Sequence, residues 1–289
     1  MKTITTLLIL LFALNCQACN DGNPQSETPT MTPVSKQSVT IREYTVKTGT
    51  KSIYGKLYAP ENINGKIPVA IYSHGFGGTN SGGTEYAMAL AQNGIACYCI
   101  DFCGGSPASK SSGNTTEMSI FTEETDLADV VTAVKTLGFI DTDNIFLLGS
   151  SQGGMVSAMV GAAHPEEIRG MVLYYPALCI PDTMTSLYPD LSKVGDTFDF
   201  WGIRLGRIYL EGLYDFDPFK VIGNYKGNVL IIHGDRDNVV DVEYARRAQD
   251  TYESSELVIF NGAGHGFWGD YADRSITLTL DFIKNNIAK

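Results

Sequence analysis

Residues 144–158, Asn-Ile-Phe-Leu-Leu-Gly-Ser-Ser-Gln-Gly-Gly-Met-Val-Ser-Ala, constrain the fold of this chain more than any other stretch. An apolar run, Ile145 to Leu148, passes through Gly149-Ser150-Ser151-Gln152-Gly153 into a helix-like run from Met155 to Val160. The pattern predicts a buried strand, a sharp turn and a helix, with Ser151 at the apex. Glycines two positions either side of Ser151 remove Cβ atoms that would clash where strand and helix pass closely. A serine so placed is a candidate nucleophile. It then needs a base, an acid and amide donors for an oxyanion from elsewhere in the chain.

The flanking sequence alternates strand and helix. Val39 to Thr48 and Ser52 to Ala59 read as two antiparallel strands joined by a tight turn. Ile67–Ser73, Ile95–Ile100, Ile168–Tyr175, Val229–Ile232 and Leu257–Phe260 are strand-like apolar runs, and a continuous run of this kind marks a strand buried on both faces. Helices are predicted over Glu85–Asn93, from Thr122-Glu123-Glu124 to Gly138, over Asp241–Tyr252 and over Tyr271–Ile287. This order predicts an α/β fold, a mostly parallel central sheet with helices on both faces. Between Pro176 and Tyr225 no strand of that sheet is evident. This stretch is rich in Asp, Tyr and Phe and contains Trp201. A cap insertion over about 178–224 is expected there, above the strand ends where open α/β sheets bind ligands.

The chain has 289 residues and a formal net charge of −11 without a Lys/Arg cluster, which argues against nucleic acid and against an anionic membrane surface. Lys2 precedes an apolar run, Ile4 to Leu14, too short to span a bilayer and shaped like a signal-peptide core. The run ends in Asn-Cys-Gln-Ala-Cys, which resembles a bacterial lipoprotein signal. Cys19 is the expected lipidated residue and Cys16 the alternative; an ordinary secretory signal is the blander reading. The expectation is a leader over 1–19, a flexible tether over 20–38 and a folded domain over 39–289. Such a protein is exported, periplasmic or at the cell surface, and touches a membrane only through its lipid. Cys97, Cys99, Cys103 and Cys179 are read as buried thiols, because Cys97 and Cys99 alternate along one strand and cannot easily bond each other. No His/Cys spacing suggests a metal site.

Four histidines compete for the role of base. His164 follows Ala-Ala and precedes proline at a helix end. His74 and His233 each end a buried strand before a glycine, where a histidine commonly holds a loop. His265 lies in Asn261-Gly-Ala-Gly-His-Gly-Phe-Trp, a glycine-rich loop after the last strand that can carry an imidazole back to Ser151. His265 is the expected base, with His233 second. For the acid, Asp235, Asp237 and Asp241 remain open after the penultimate strand; turn formation and helix capping are ordinary roles for the first and last. The oxyanion is expected to meet the backbone amide of Gln152 and that of Phe76, in the glycine loop His74-Gly-Phe-Gly-Gly. On this reading the Gln152 side chain matters little.

These motifs resemble the serine α/β-hydrolases, and among them bacterial carboxylesterases that include cinnamoyl (feruloyl) esterases. The resemblance is carried by His74-Gly-Phe-Gly, Asp101-Phe-Cys-Gly-Gly-Ser, Met118-Ser-Ile-Phe-Thr-Glu, Gly149-Ser-Ser-Gln-Gly-Gly, His233-Gly-Asp-Arg-Asp-Asn-Val-Val and Gly264-His-Gly-Phe. It implies the α/β-hydrolase fold and places the acid at Asp237. It implies an esterase that needs no metal or organic cofactor and takes a small-molecule or oligosaccharide ester, with hydroxycinnamoyl or acyl groups of plant polysaccharide as one such substrate. It also implies that the insertion binds substrate, where Tyr209, Asp215 and Asp217 are candidate contacts. Two rival readings are a serine peptidase of the prolyl-oligopeptidase type and a non-catalytic anchored binding protein on the same fold.

Overall fold

The computed structural model describes residues 37–288. The leader, Cys16, Cys19 and the expected tether lie outside them, apart from residues 37 and 38. Ten strands are seen: β1 (Val39–Thr48), β2 (Lys51–Pro60), β3 (Ile67–Ser73), β4 (Ala96–Ile100), β5 (Ile140–Ser150), β6 (Gly170–Tyr174), β7 (Thr197–Phe200), β8 (Ile203–Gly206), β9 (Asn228–Gly234) and β10 (Ser255–Phe260). The helices are α1 (Thr84–Gln92), α2 (Ile120–Val134), α3 (Gln152–Ala163), α4 (Ile180–Leu187), α5 (Pro218–Ile222), α6 (Val242–Thr251) and α7 (Asp270–Asn286).

Eight strands form one sheet in the order β1-β2-β4-β3-β5-β6-β9-β10. β2 is antiparallel to both β1 and β4. From β4 onward every pair is parallel. The apolar runs divide by strand parity between two cores. Val69, Ile71, Ile145 and Leu147 face α2 and α3, packing on Leu127, Val130, Met155 and Met159. Ala70, Tyr72, Phe146 and Leu148 face the opposite side, with Leu90 of α1 and Ile283 of α7. Each such large apolar side chain stabilises the fold by about 1.5–3 kcal/mol on burial, so a one-residue slip in β3 or β5 would forfeit both cores together.

α2 begins earlier than the Thr122-Glu-Glu signal predicted. Ser119 is its N-cap, accepting the Thr122 amide at 3.2 Å while the Thr122 hydroxyl accepts the Ser119 amide at 2.8 Å. Thr122 is therefore the third residue of a capping box rather than the cap. The helix also ends at Val134, short of Gly138, where the last residues tighten into turns. Between β6 and β9 the chain forms α4, the β7–β8 hairpin and α5, with 3₁₀ turns at Leu191–Lys193 and Arg207–Tyr209. That hairpin is a separate two-stranded sheet whose strands alternate, as Thr197-Phe-Asp-Phe200 does, but are too short at four residues each to stand out in the sequence. Cys97, Cys99, Cys103 and Cys179 are free thiols. No helix among the described residues is long and apolar enough to cross a membrane.

Candidate active site

All the residues expected to do chemistry follow the C-terminal ends of parallel strands. β5 ends at Ser150 and α3 starts at Gln152, which leaves Ser151 alone to make the turn at φ 53° and ψ −120°. Left-handed backbone at a non-glycine residue costs on the order of 1–3 kcal/mol and persists only where its surroundings over-determine it. Here they do. The Ser151 amide donates to the Tyr174 carbonyl at 3.0 Å, and the Ser151 carbonyl accepts the amides of Gly154 and Ala177. The glycine requirement is steric. A Cβ on Gly149 would lie 2.3 Å from the Gly153 carbonyl oxygen, and one on Gly153 would lie 2.3 Å from that of Ser73.

The loop after β10 brings the His265 imidazole to this serine. Nε2 lies 3.0 Å from Ser151 Oγ, and Nδ1 lies 2.7 Å from Asp237 Oδ2. The Tyr175 ring meets the imidazole edge-on, 4.7 Å between centroids. Asp237 Oδ1 accepts the amides of Val239 and Val240 at 2.8 and 2.9 Å, and Oδ2 also lies 3.3 Å from His233 Nε2. Burial alone would raise this carboxyl. The hydrogen bonds from His233 and His265 and from the two amides outweigh it and hold Asp237 well below the usual carboxylate range.

The other candidates have structural roles. Asp235 accepts the Gly262 amide at 2.6 Å, which ties the loop that carries Asp237 to the loop that carries His265. Asp241 caps α6 through the Glu243 amide. His233 is buried, with Nε2 2.9 Å from the Val240 carbonyl. His74 accepts the Phe102 amide on Nε2, which places its proton on Nδ1, 2.8 Å from the Gly75 carbonyl. His164 pairs with Glu167 at 3.1 Å.

The glycine loop after β3 lies against the serine: a Cβ on Gly75 would sit 3.1 Å from that of Ser151. Among the described residues neither the Phe76 amide in this loop nor the Gln152 amide, first in α3, meets a protein acceptor. Asp101, part of a matching motif but given no role from the sequence, orders the loop by accepting the Asn80 amide at 2.7 Å and the Lys110 amide at 2.9 Å. The Phe76 ring is met edge-on by Phe200, Trp201 and Tyr209, at 5.5, 6.0 and 6.0 Å. Those rings, with Met184, Val240 and Ser151 itself, line an apolar pocket of about 60 Å³.

Two expectations change. The Gln152 side chain is buried and bonded at both ends: Nε2 donates to Glu123 Oε2 at 2.8 Å, and Oε1 accepts from the Tyr209 hydroxyl at 2.6 Å. Tyr209 thus lines the pocket with its ring while its hydroxyl is turned into the protein. Asp215 and Asp217 are not on the pocket wall. Asp215 is exposed, and Asp217 caps α5 by accepting the Phe219 amide at 3.0 Å. No group of three or more metal-ligating side chains occurs among the described residues.

The chain is 26% identical over 185 residues to the human serine hydrolase BPHL, and the match spans 61% of that protein and 56% of this one. The structure of Est1E from Butyrivibrio proteoclasticus with ferulic acid bound superposes with a TM-score of 0.78 at 25% identity, covering 85% of this chain and all of the other. The α/β-hydrolase GrgF from Penicillium sp. sh18 shares the fold at 19% identity, with a TM-score of 0.68 over 87% of this chain and all of the other. The profile of the prolyl oligopeptidase family matches residues 84–289, more than half of the sequence. The chain has the α/β-hydrolase fold and belongs to the prolyl oligopeptidase family.

Proposed function

We propose that this protein is a carboxylic-ester hydrolase working through an acyl-enzyme intermediate. The observation that carries the reading is the run of contacts from Asp237 through His265 to Ser151, ending beside two unpaired amides and an apolar aromatic pocket. Ser151 Oγ attacks the ester carbonyl as its proton passes to His265 Nε2. Asp237, which accepts from Nδ1–H, orients the ring and stabilises the imidazolium. The amides of Phe76 and Gln152 receive the carbonyl oxygen as it becomes an oxyanion. A donor of this kind is worth about 10²–10³-fold in rate. Collapse of the tetrahedral species breaks the bond to the alcohol oxygen, which takes the proton from His265. Water then repeats the cycle and releases the acid.

The aromatic walls of the pocket favour an aromatic acyl group, and a hydroxycinnamoyl or acyl ester of plant polysaccharide is the substrate class proposed. Est1E, whose structure holds ferulic acid, supports this reading by likeness. Export and attachment through a lipid on Cys19 belong to the same proposal and rest on residues 1–20 alone. Labelling by a fluorophosphonate, abolished in Ser151→Ala, tests the nucleophile. Hydrolysis of methyl ferulate tests the acyl group, and turnover of simple esters without it would remove the hydroxycinnamoyl assignment.

The family match favours a second reading, a serine peptidase. A panel of dipeptide amides decides between the two. Faster release of amine from these than of alcohol from the matched esters would support the peptidase.

A further inference from the structure

A second cavity opens beside the site, a groove of about 740 Å³ whose wall includes Ser81, Glu85, Tyr86, Tyr175 and Trp268. It shares only Phe76 with the aromatic pocket, so the Gly75–Phe76 strip divides the two. Proton transfer says which part of an ester belongs in each. His265 Nε2 must hand its proton to the departing oxygen, so the alcohol has to leave along the imidazole side. The loop that carries His265 continues through Gly266 and Phe267 to Trp268, and the last two line this groove. Tyr175, whose ring touches the imidazole, lines it too.

Trp268 is 73% exposed, yet its position is defined. Its six-membered ring lies over Gly266, where a Cβ would come within 2.1 Å of the indole and where φ is +97°. The glycine thus lets the indole fold back beside the base, and most of the ring is left open to solvent. The chain has two tryptophans; the other, Trp201, is 66% exposed and lines the aromatic pocket. Exposed aromatic surface of this size in a cleft marks a ligand site. The groove wall mixes the hydroxyls of Thr79, Ser81 and Ser106 and the Glu85 carboxylate with the rings of Tyr86, Tyr175 and Phe267. An anionic alcohol would meet the Glu85 carboxylate, and a purely apolar one would leave the hydroxyls of this wall without partners. A sugar offers what this wall fits, an apolar C–H face for the indole and hydroxyls that both donate and accept for its neighbours.

We propose that the Trp268 groove is a subsite for the alcohol part of the ester, and that this alcohol is a sugar. The assignment rests on the esterase reading. Its test compares kcat/KM for matched pairs that share an acyl group: feruloyl-arabinose against methyl ferulate, and acetylated xylobiose against ethyl acetate. In Trp268→Ala the preference for the sugar ester should fall about tenfold, through KM, which is what one stacking contact is worth. Trp268→Phe, which keeps a ring, should recover most of it. A preference unchanged in Trp268→Ala, with both esters of a pair cleaved, overturns the subsite and leaves the esterase standing. A protein that is labelled at Ser151 but cleaves no ester of either pair overturns the esterase reading and the subsite with it.

Discussion

The Tyr209 hydroxyl lies 2.6 Å from Gln152 Oε1, so the residue after the proposed nucleophile is held by the segment that covers it. The contact spans 57 positions of sequence and continues through Gln152 Nε2 to Glu123. Tyr209 also packs against Phe76, whose amide is the second proposed oxyanion donor. One tyrosine therefore braces both.

Tyr209→Phe leaves Gln152 Oε1 buried without its donor, a loss of about 1–3 kcal/mol in stability. Because the same bond braces the Gln152 amide, kcat should fall several-fold with little change in KM. Gln152→Ala should cost more than Tyr209→Phe, since it strands both the Tyr209 hydroxyl and Glu123. Thermal unfolding and initial rates on the two single variants and the double variant check this, because a shared network makes the losses non-additive. Additive losses would mean that Tyr209 and Gln152 act separately.

Glu123 gives the network a pH dependence. Burial pushes its carboxyl well above the usual carboxylate range, against the pull of the Gln152 amide, and nearby Asp126 pushes it the same way. The folded protein keeps this proton where the unfolded chain, titrating near 4.5, releases it. Glu123 therefore supports the fold fully below that value and loses its contribution as pH rises toward the folded value. Glu123→Gln keeps an uncharged group of the same shape and removes the titration. Its Tm relative to the unaltered protein should improve between about pH 5 and pH 8. Parallel pH dependences in the two proteins would count against a protonated Glu123.

Asp237 has the opposite sign. Its lowered folded value means that its contribution to stability is present above the unfolded value near 3.8 and is lost as pH falls further. Asp237 should accordingly stay ionised throughout the pH range in which the protein is folded and active. Asp237→Asn should lower kcat by about 10³–10⁴-fold near neutral pH, as expected when the ring loses its orienting acceptor. Its Tm should approach that of the unaltered protein in strong acid, where Asp237 too becomes neutral. A Tm difference between the two proteins that stays constant into strong acid would count against an ionised Asp237.

The parts of this molecule that were legible in the sequence are those whose physical cause is local. Ile67–Ser73 reads as a strand because its apolar run serves two cores, and Ser151 reads as an elbow because its glycines answer clashes within a few residues. His265 was legible from its glycine-rich loop after the last strand, whereas strand order left Asp235, Asp237 and Asp241 open and the family resemblance singled out Asp237. The Gln152 side chain was misread because its partners lie 29 residues before it and 57 after it. Glu123 looked like an acid at a helix start. Its place at helical spacing before Leu127 and Val130 puts it on the buried face of α2. Asp217 could have been placed correctly, since Asp-Pro at 217–218 is a helix start in its own right.

The close approach at the elbow yields the last prediction, a paired substitution that separates steric demand from glycine content. A Cβ on Gly153 would stand 2.3 Å from the Ser73 carbonyl, at the end of β3, and 2.4 Å from that of His74, the next residue, both backbone atoms. Neither can swing aside as a side chain would. Gly153→Ala must push α3 away from β3 and carry the Ser151 turn with it. A loss of more than about 2 kcal/mol in stability is expected, with fluorophosphonate labelling slowed at temperatures where the variant is still folded. Gly138, after α2, would place a Cβ in open space and has no left-handed φ to preserve. Gly138→Ala should be neutral or slightly stabilising, because the alanine restricts the unfolded chain by about 0.4–1 kcal/mol. Equal behaviour of the two variants in denaturant titration would refute the steric account of the elbow.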